Sequence, residues 1–305
     1  MPRWSTPKTQ RKYTNLWIPW LSQDIATCMS DLNHTSVPFM KMHGLGNDFL
    51  VVDARAADIA LSGPLICALA DRHCGVGFDQ LVVLKAGDTD AHLEFYNADG
   101  SGSAACGNAT RCIARYLMQE TGKKDVVLST LRGHLTARDA GDGLTTVNMG
   151  PPDLDWDKIP LAEPMDTLHL AIKGEPVATG MGNPHCTFFV PDAEAIDLSQ
   201  SAAPIEHHPL FPQRTNVQFA SLVAPDHLRM RVWERGVGVT LASGSSSCAT
   251  AVAAARRGLT GRSVTIDLDG GRLWVDWRSD GVWMTGPTQH VFSGVLTKEF
   301  LQGIL

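Results

Sequence analysis

Two segments of the sequence each place a small nucleophilic side chain directly before a glycine and an apolar helical segment. They are NADGSGSAACGNATRC at residues 97–112, where Cys106 precedes the glycine, and ERGVGVTLASGSSSCATA at residues 234–251, where Ser243 does. The N-terminus of a helix presents free N–H groups and partial positive charge, which favour a carboxylate or a thiolate. A thiol in that position has a lowered pKa, so we expect Cys106 to act as a base near neutral pH.

Two such helix starts that face each other can move a proton at a single carbon atom. One side chain removes the proton from one face of the carbon, and the other returns a proton to the opposite face. The helix dipoles stabilise the enolate-like charge that develops in between, so the reaction needs no cofactor. The pattern therefore predicts a two-base racemase or epimerase. For Ser243 alone, the structural alternative is a simple helix N-cap, because serine is among the best residues for that position.

Other chemistries find less support in the sequence. The adjacent His207 and His208 lack a carboxylate at metal-ligand spacing, so no metal is predicted. No lysine stands in a context typical of a pyridoxal anchor. A serine hydrolase built on Ser243 and His185 is disfavoured, because the chain lacks a strand–GxSxG–helix elbow.

Polar landmarks recur at nearly constant spacing and indicate an internal repeat. In chain order they are Asn47, Gln80, Asn97 and Cys106 in the first half, and Asn183, Asn216, Glu234 and Ser243 in the second. The second landmark follows the first by 33 residues in both copies. We therefore predict two similar domains, residues 38–150 and 151–305, related by a pseudo-twofold axis.

Each predicted domain has the composition of short strands around one helix. Segments such as QLVVLKA, HLEFYNA and NVQFASLV are rich in β-branched residues and are bounded by Gly, Asp or Asn, which is typical of strands. LRMRV and LWVDW alternate with a period of two, as half-buried antiparallel strands do. The helix after Cys106 has one apolar stripe, and the helix after Ser243 is apolar all round and ends near Gly258. The prediction is an α+β fold of two pseudo-symmetric domains. In each, a mostly antiparallel sheet wraps around a central helix, and the active site lies in the cleft between the domains.

Composition limits the partners and the compartment of the protein. The chain has 305 residues and a net charge of −6, which does not favour nucleic-acid or anionic-membrane binding. Seven cysteines without a CxxC pair indicate a reduced, cytoplasmic protein. Four of them, Cys67, Cys112, Cys186 and Cys248, are expected in the core. Residues 1–37 form a basic N-terminal extension that we expect to be poorly ordered.

The motifs, taken together, resemble those of the diaminopimelate epimerase family, a branch of the pyridoxal-independent amino-acid racemases. In order, they are MHGLGNDF, NADGS, CGN..RC, GNPH, R.NV.F and ERGVG.TLA.G…C, from about Phe39 to the C-terminus. The resemblance implies interconversion of L,L- and meso-diaminopimelate, without a cofactor, for lysine and peptidoglycan precursor synthesis. It also implies a small-molecule substrate as the main partner and a homodimer as the candidate assembly.

The resemblance also implies roles for individual residues. Cys106 matches one catalytic thiol, and Ser243 stands at the position of the second; His185 and Glu234 match polar groups that support the acid–base pair. The implied substrate-binding positions are Asn47, Gln80, Asn97, Gly107, Asn108, Asn183, Asn216, Glu234, Arg235, Gly244 and Ser245.

Several residues depart from the family pattern, and they cluster in the second helix start. Ser243 replaces the family's second catalytic Cys, Val239 its usual Glu, and Ser246 its usual Gly; Ala109 and Thr110 are milder changes in the first helix. Three interpretations follow: an epimerase of reduced activity, a Cys/Ser racemase or dehydratase acting on another substrate, and a non-catalytic ligand-binding relative.

Overall fold

A computed structural model describes residues 36–302 except 58, 60, 104 and 105. The strands are β1 (Val37–Gly44), β2 (Asn47–Asp53), β3 (Gln80–Lys85), β4 (Ala91–Asn97), β5 (Gly102–Ser103), β6 (Asp125–Thr130), β7 (Gly133–Gly141), β8 (Leu144–Asn148), β9 (Val177–Gly180), β10 (Pro184–Phe189), β11 (Asn216–Ala224), β12 (His227–Glu234), β13 (Gly238–Thr240), β14 (Ser263–Leu268), β15 (Gly271–Arg278), β16 (Gly281–Pro287) and β17 (Gln289–Leu296). The helices are α1 (Gly63–Ala70), α2 (Gly107–Thr121), α3 (Leu198–Ser201), α4 (Ala203–Glu206), α5 (Gly244–Arg256) and α6 (Lys298–Gln302). Residues 1–35 of the predicted N-terminal extension lie outside the described residues.

The strand pairings repeat between the two halves of the chain. In the first half β2 pairs parallel with β3, β3 antiparallel with β4, and β4 parallel with β6. In the second half β10 pairs parallel with β11, β11 antiparallel with β12, and β12 parallel with β14. Antiparallel pairs then continue through β6–β7–β8 and through β14–β15–β16. The mostly antiparallel α+β fold with an internal repeat is therefore confirmed, whereas the exact domain boundaries stay a prediction.

Two seams of hydrogen bonds join the halves into one continuous sheet. Strand β8 of the first half pairs antiparallel with β16 of the second, with Val147 opposite Met284. Strand β1 pairs antiparallel with the last strand, β17, with Val37 opposite Leu296. The two halves therefore share backbone hydrogen bonds as well as side-chain contacts.

Helices α2 and α5 lie in the core of the protein. On α2 the predicted apolar stripe is buried at Ala109, Cys112 and Ile113. Helix α5 is buried on all sides, as its small apolar residues predict, and Gly258 follows its end with a φ of +67°. One hydrophobic cluster contains side chains of both helices. The two helices are therefore packed in one common hydrophobic core.

The cysteine predictions hold with one exception. Cys112, Cys186 and Cys248 are buried, as expected. Cys67 was expected in the core and is exposed, so that expectation is wrong. Cys67 lies on the short helix α1, and Leu65, Ile66 and Leu69 form the buried face of this helix.

A glycine in the β14–β15 turn allows three loops to meet. The N–H of Gly270 donates a hydrogen bond to the carbonyl of Leu241, at 2.8 Å. A Cβ at Gly270 would lie 1.9 Å from the carbonyl oxygen of Leu45, in the β1–β2 turn. Because backbone, not a flexible side chain, fills that space, Gly270→Ala is expected to lower the free energy of unfolding by about 1–3 kcal/mol. Urea unfolding followed by circular dichroism measures this change.

Gly63→Ala serves as the control for that prediction. Among the described residues, nothing lies within 4 Å of a Cβ at Gly63, the first residue of α1, so this variant should lose no stability. Equal stability of the two variants would show that the Gly270 contact has no energetic role.

Candidate active site

One cavity of about 690 Å³ is lined by residues from both halves of the chain. Every residue that the sequence analysis assigned to the site lines this cavity except His185. The amides Asn47, Gln80, Asn97 and Asn108 come from the first half, and Asn183 and Asn216 come from the second. The structure therefore brings the landmarks of the repeat together, while their roles in binding and catalysis stay predictions.

The side chain of Met284 lies against both helix starts. Cys106 and Ser243 are the N-cap residues of α2 and α5, and both have extended backbone dihedrals. A Cβ added to Gly107 or to Gly244 would lie 3.0 Å from Cε of Met284. The side-chain Nδ2 of Asn108 also donates to the carbonyl of Ala242, at 3.4 Å. Glycine as the first residue of each helix thus leaves room for the Met284 thioether between them.

Cys106 is a half-buried thiol held beside an amide. Its Sγ donates to Oδ1 of Asn47 at 3.9 Å, and Nδ2 of Asn47 donates to Asp79 at 2.9 Å. Burial raises the pKa of the Cys106 thiol to about 12, although the backbone N–H groups of Asn108 and Ala109 act in the opposite direction. The expectation that the helix start lowers the pKa of Cys106 is therefore wrong, because desolvation raises this pKa by more than the helix N–H groups lower it.

Ser243 forms a hydrogen-bonded group with a buried carboxyl group. Its Oγ donates to Oε2 of Glu234 at 3.1 Å, and the hydroxyl of Thr240 donates to Oε1 of the same residue at 2.6 Å. Burial raises the pKa of Glu234 above its ordinary value. The Ser243 side chain makes no capping hydrogen bond to its own helix. The N-cap interpretation therefore describes the backbone of Ser243 but not its hydroxyl group.

His185 lies behind the cavity wall and is completely buried. Its Nε2 is 2.9 Å from Oδ1 of Asn183, and its Nδ1 is 3.1 Å from Nε2 of Gln218. Since an amide NH₂ is a donor, this pairing assigns the Nε2–H tautomer, which donates to Asn183. Burial lowers the pKa of His185 to about 3, so the imidazole is neutral. His185 thus positions the Asn183 side chain that lines the cavity.

This histidine should make the stability of the protein depend on pH. The folded protein holds His185 neutral, whereas the unfolded chain binds a proton below the ordinary pKa of 6.5. The unfolded state therefore binds more protons between about pH 6.5 and about pH 3, and the free energy of unfolding falls as the pH decreases through that window. His185→Gln is expected to make this fall shallower by up to about 1.4 kcal/mol per pH unit.

Urea unfolding at several pH values measures that slope. His290→Gln, a substitution at an exposed histidine, is the matched control and should keep the parent slope. Identical slopes for the parent and His185→Gln would contradict the prediction.

Further hydrogen bonds fix the polar walls of the cavity. Nε2 of Gln80 donates to Oδ1 of Asn97 at 3.0 Å, as the antiparallel pairing of β3 with β4 allows. Oδ1 of Asn216 accepts from the backbone N–H of Arg235 at 3.0 Å. Nη1 of Arg235 donates to the carbonyl of Gln213, at 3.0 Å. These side chains are therefore oriented by the protein itself.

The cavity also contains residues that the sequence analysis missed, among them Arg72, Asp79, Arg132, Met149 and Thr240. Asp79 directly precedes the landmark Gln80, so its position in the chain was an available signal. Arg132 reaches the cavity from the β6–β7 turn and donates to the carbonyl of Met181. No sequence signal pointed to Arg132, because only the tertiary fold brings this turn to the cavity.

The described residues contain neither a metal-binding cluster nor a membrane-spanning helix. No group of three or more His, Cys, Asp or Glu side chains among them could hold a metal ion. No helix in the described part of the chain is long and apolar enough to cross a membrane.

Solved structures with the same fold include racemases, epimerases and related proteins. A hydroxyproline epimerase from Agrobacterium vitis has a TM-score of 0.58 at 15% identity, over 86% of this chain and 92% of that one. A PhzF-family phenazine biosynthesis protein from Bacillus anthracis has a TM-score of 0.59 at 14% identity, over 86% and 99%. At such identities the likeness shows the fold alone.

The similarity in sequence, unlike the shared fold, identifies the protein family. The family model described as diaminopimelate epimerase matches residues 39–154 and 177–291. The diaminopimelate epimerase of Rhodospirillum centenum is 53% identical over 88% of this chain and 94% of its own length. That of Phenylobacterium zucineum is 50% identical over 85% and 97%. The chain belongs to the diaminopimelate epimerase family.

Proposed function

We propose that this protein interconverts L,L- and meso-diaminopimelate by cofactor-independent proton transfer at the α-carbon. The observation that carries the proposal is the placement of Cys106 and Ser243 at two helix starts on one cavity, with Met284 between their glycines. The names of the relatives, at 44–53% identity, support the same substrate. In keeping with the sequence analysis, we further propose a cytoplasmic homodimer.

The geometry suggests how the substrate is held. The α-carboxylate binds the free N–H groups at the starts of α2 and α5, where the partial positive charges of both helices favour an anion. The distal carboxylate binds the amide-lined wall together with Arg235. Neither Arg132 nor Arg235 forms an ion pair among the described residues, so the cavity offers two guanidinium groups without an acidic partner to a dicarboxylic substrate.

Proton transfer then involves one side chain on each face of the α-carbon. In one direction Cys106, as thiolate, takes the α-proton, and the electron pair of the broken C–H bond spreads into the carboxylate as an enediolate. The Ser243 hydroxyl gives its proton to the opposite face, and the resulting alkoxide recovers a proton from Glu234, which has to carry one when this step begins. Glu234 suits this role because burial raises its pKa and its Oε2 accepts from Ser243. The reverse reaction follows the same path backwards.

Ser243 makes the two faces chemically unequal. We propose that it occupies the position of the family's second catalytic cysteine. An alcohol is a much weaker acid than a thiol, whose ordinary pKa is about 8.5. Because epimerisation in either direction involves both faces, each direction includes the step at Ser243. The interconversion rate should therefore be low.

The test is α-proton exchange in heavy water, followed by NMR with L,L- and meso-diaminopimelate supplied separately. Exchange accompanied by interconversion of the two isomers supports the proposal. Tight binding without exchange would instead identify a ligand-binding relative. Release of a keto acid from β-hydroxy amino acids, without exchange on diaminopimelate, would identify a dehydratase.

A further inference from the structure

Arg111 is a completely buried arginine without a hydrogen-bonded partner at two of its three nitrogens. It lies on α2, and its Nε and Nη2 have no hydrogen-bond partner among the described residues. Its Nη1 donates to Sδ of Met284, at 3.3 Å. No carboxylate among the described residues forms an ion pair with it. An unpaired buried charge normally destabilises a fold, so its presence calls for a function.

The surrounding strands leave space for this guanidinium group. A Cβ at Gly44, the last residue of β1, would lie 3.1 Å from Nη2 of Arg111. A Cβ at Gly286 of β16 would lie 3.4 Å from its Nε. Glycine at both positions therefore leaves room for the guanidinium group next to these two strands.

That site lies directly behind the two helix starts. On one side, Sδ of Met284 contacts Nη1 of Arg111. On the other, Cε of Met284 lies 3.0 Å from the Cβ positions at Gly107 and Gly244, and its Sδ lies 3.1 Å from the one at Gly244. One thioether therefore separates the buried guanidinium group from the place where the two helices present their N–H groups. The titratable groups near Arg111 are the thiols of Cys106, Cys112 and Cys248.

We propose that Arg111 is a positioning residue whose uncompensated charge favours negative charge at the helix starts, namely the Cys106 thiolate and the substrate carboxylate. Met284 keeps the guanidinium group from contacting the substrate, so Arg111 acts through its electric field alone. The arrangement adds a full charge to the partial charges of the two helices. The part of this inference that concerns the carboxylate rests on the proposed function, whereas the part that concerns the thiolate does not.

The charged groups that act on Cys106 have opposite effects. The Arg111 charge lowers the pKa of the thiol, and Glu234, on the opposite half, raises it. Burial raises this pKa further, so Arg111 is the positively charged side chain that counteracts both effects. A neutral residue at position 111 should therefore leave less thiolate at any given pH.

The experiment measures the alkylation rate of Cys106 by neutral iodoacetamide at pH 7 to 9, with the modified peptide quantified by mass spectrometry. The variants are Arg111→Met and Arg111→Gln. Arg115→Met is the control, because Arg115 lies on the same helix but its Nη1 is paired with Asp139 at 2.8 Å. We expect a fall of about tenfold in both Arg111 variants, which corresponds to a rise of about one unit in the thiol pKa, and no change in the control.

A thermal unfolding measurement separates this role from a structural one. Removal of an uncompensated buried charge should leave the unfolding temperature of Arg111→Met unchanged or higher. An unchanged alkylation rate in a folded Arg111 variant would overturn the proposal. Failure of both neutral variants to fold would also overturn it, since the arginine would then serve the fold. The readout uses no substrate, so it is independent of whether diaminopimelate is epimerised.

Discussion

Ser243→Cys is expected to raise the rate of interconversion of L,L- and meso-diaminopimelate by about 10²–10⁴-fold. The substitution replaces the alcohol at the start of α5 with a thiol, which is a much stronger acid. The N–H groups of the helix stabilise its thiolate, although burial opposes ionisation there as it does at Cys106. Glu234, which accepts from the Ser243 hydroxyl at 3.1 Å, would then accept from the new thiol. The measurement is the initial rate of isomer interconversion in the parent and in the variant, supplied with each isomer in turn.

Ser247→Cys provides the control for that change. Ser247 lies on the same helix and is buried, but it does not line the cavity. A thiol there should leave the interconversion rate unchanged. Equal rates for the parent and Ser243→Cys, in proteins of equal stability, would show that the Ser243 hydroxyl already serves as an adequate acid and base. The chain would then be a working Cys/Ser enzyme.

Cys106→Ser is expected to lower α-proton exchange with both isomers by about 10²–10⁴-fold, because it leaves no thiol at either helix start. Asn47, which now accepts from the thiol, can accept equally from a hydroxyl group, so the site geometry should be preserved. Exchange in heavy water and thermal unfolding are both measured, so that a loss of rate is not confused with a loss of fold.

The matched control for Cys106→Ser is Cys74→Ser. Cys74 is exposed and lies outside the cavity, so its loss should have no effect on exchange. If Cys106→Ser retained the parent rate, the proton would have to be removed by another group, and the two-helix mechanism would be wrong.

The elements that the sequence predicted best are those whose pattern reflects burial. Helix α5 was predicted from a run of small apolar residues, and strands β12 and β15 from strict alternation. Strand β7 was missed because most of its residues are exposed and polar, so no apolar period marks it. Helix α1 was missed although a signal existed. Ser62 accepts from the N–H of Leu65 as an N-cap, and a proline follows in the first turn.

The sequence predicted which residues line the cavity better than it predicted their electrostatics, while their roles stay predictions. The repeated landmarks lie at equivalent strand and helix ends in the two halves, and the fold brings these ends together at one cavity. The pKa of Cys106 depends on how deeply the thiol is buried, and the sequence of a single helix start does not predict that burial. Arg132 and the solitary Arg111 are likewise products of packing between segments that are distant in the chain.

The pairing of the first strand with the last has a consequence for synthesis on the ribosome. Val37 pairs with Leu296, so β1 obtains one of its two neighbours only when nearly the whole chain has been made. Domains that fold as units usually fold as they emerge, N-terminal part first. Here the first repeat emerges with an open edge at β1 and another at β8, whose partner β16 is also late. While only the first half has been made, both of these strand edges are unpaired and are exposed to aggregation. The β1–β17 and β8–β16 pairings join residues that are far apart in the chain, and contacts of this kind form slowly.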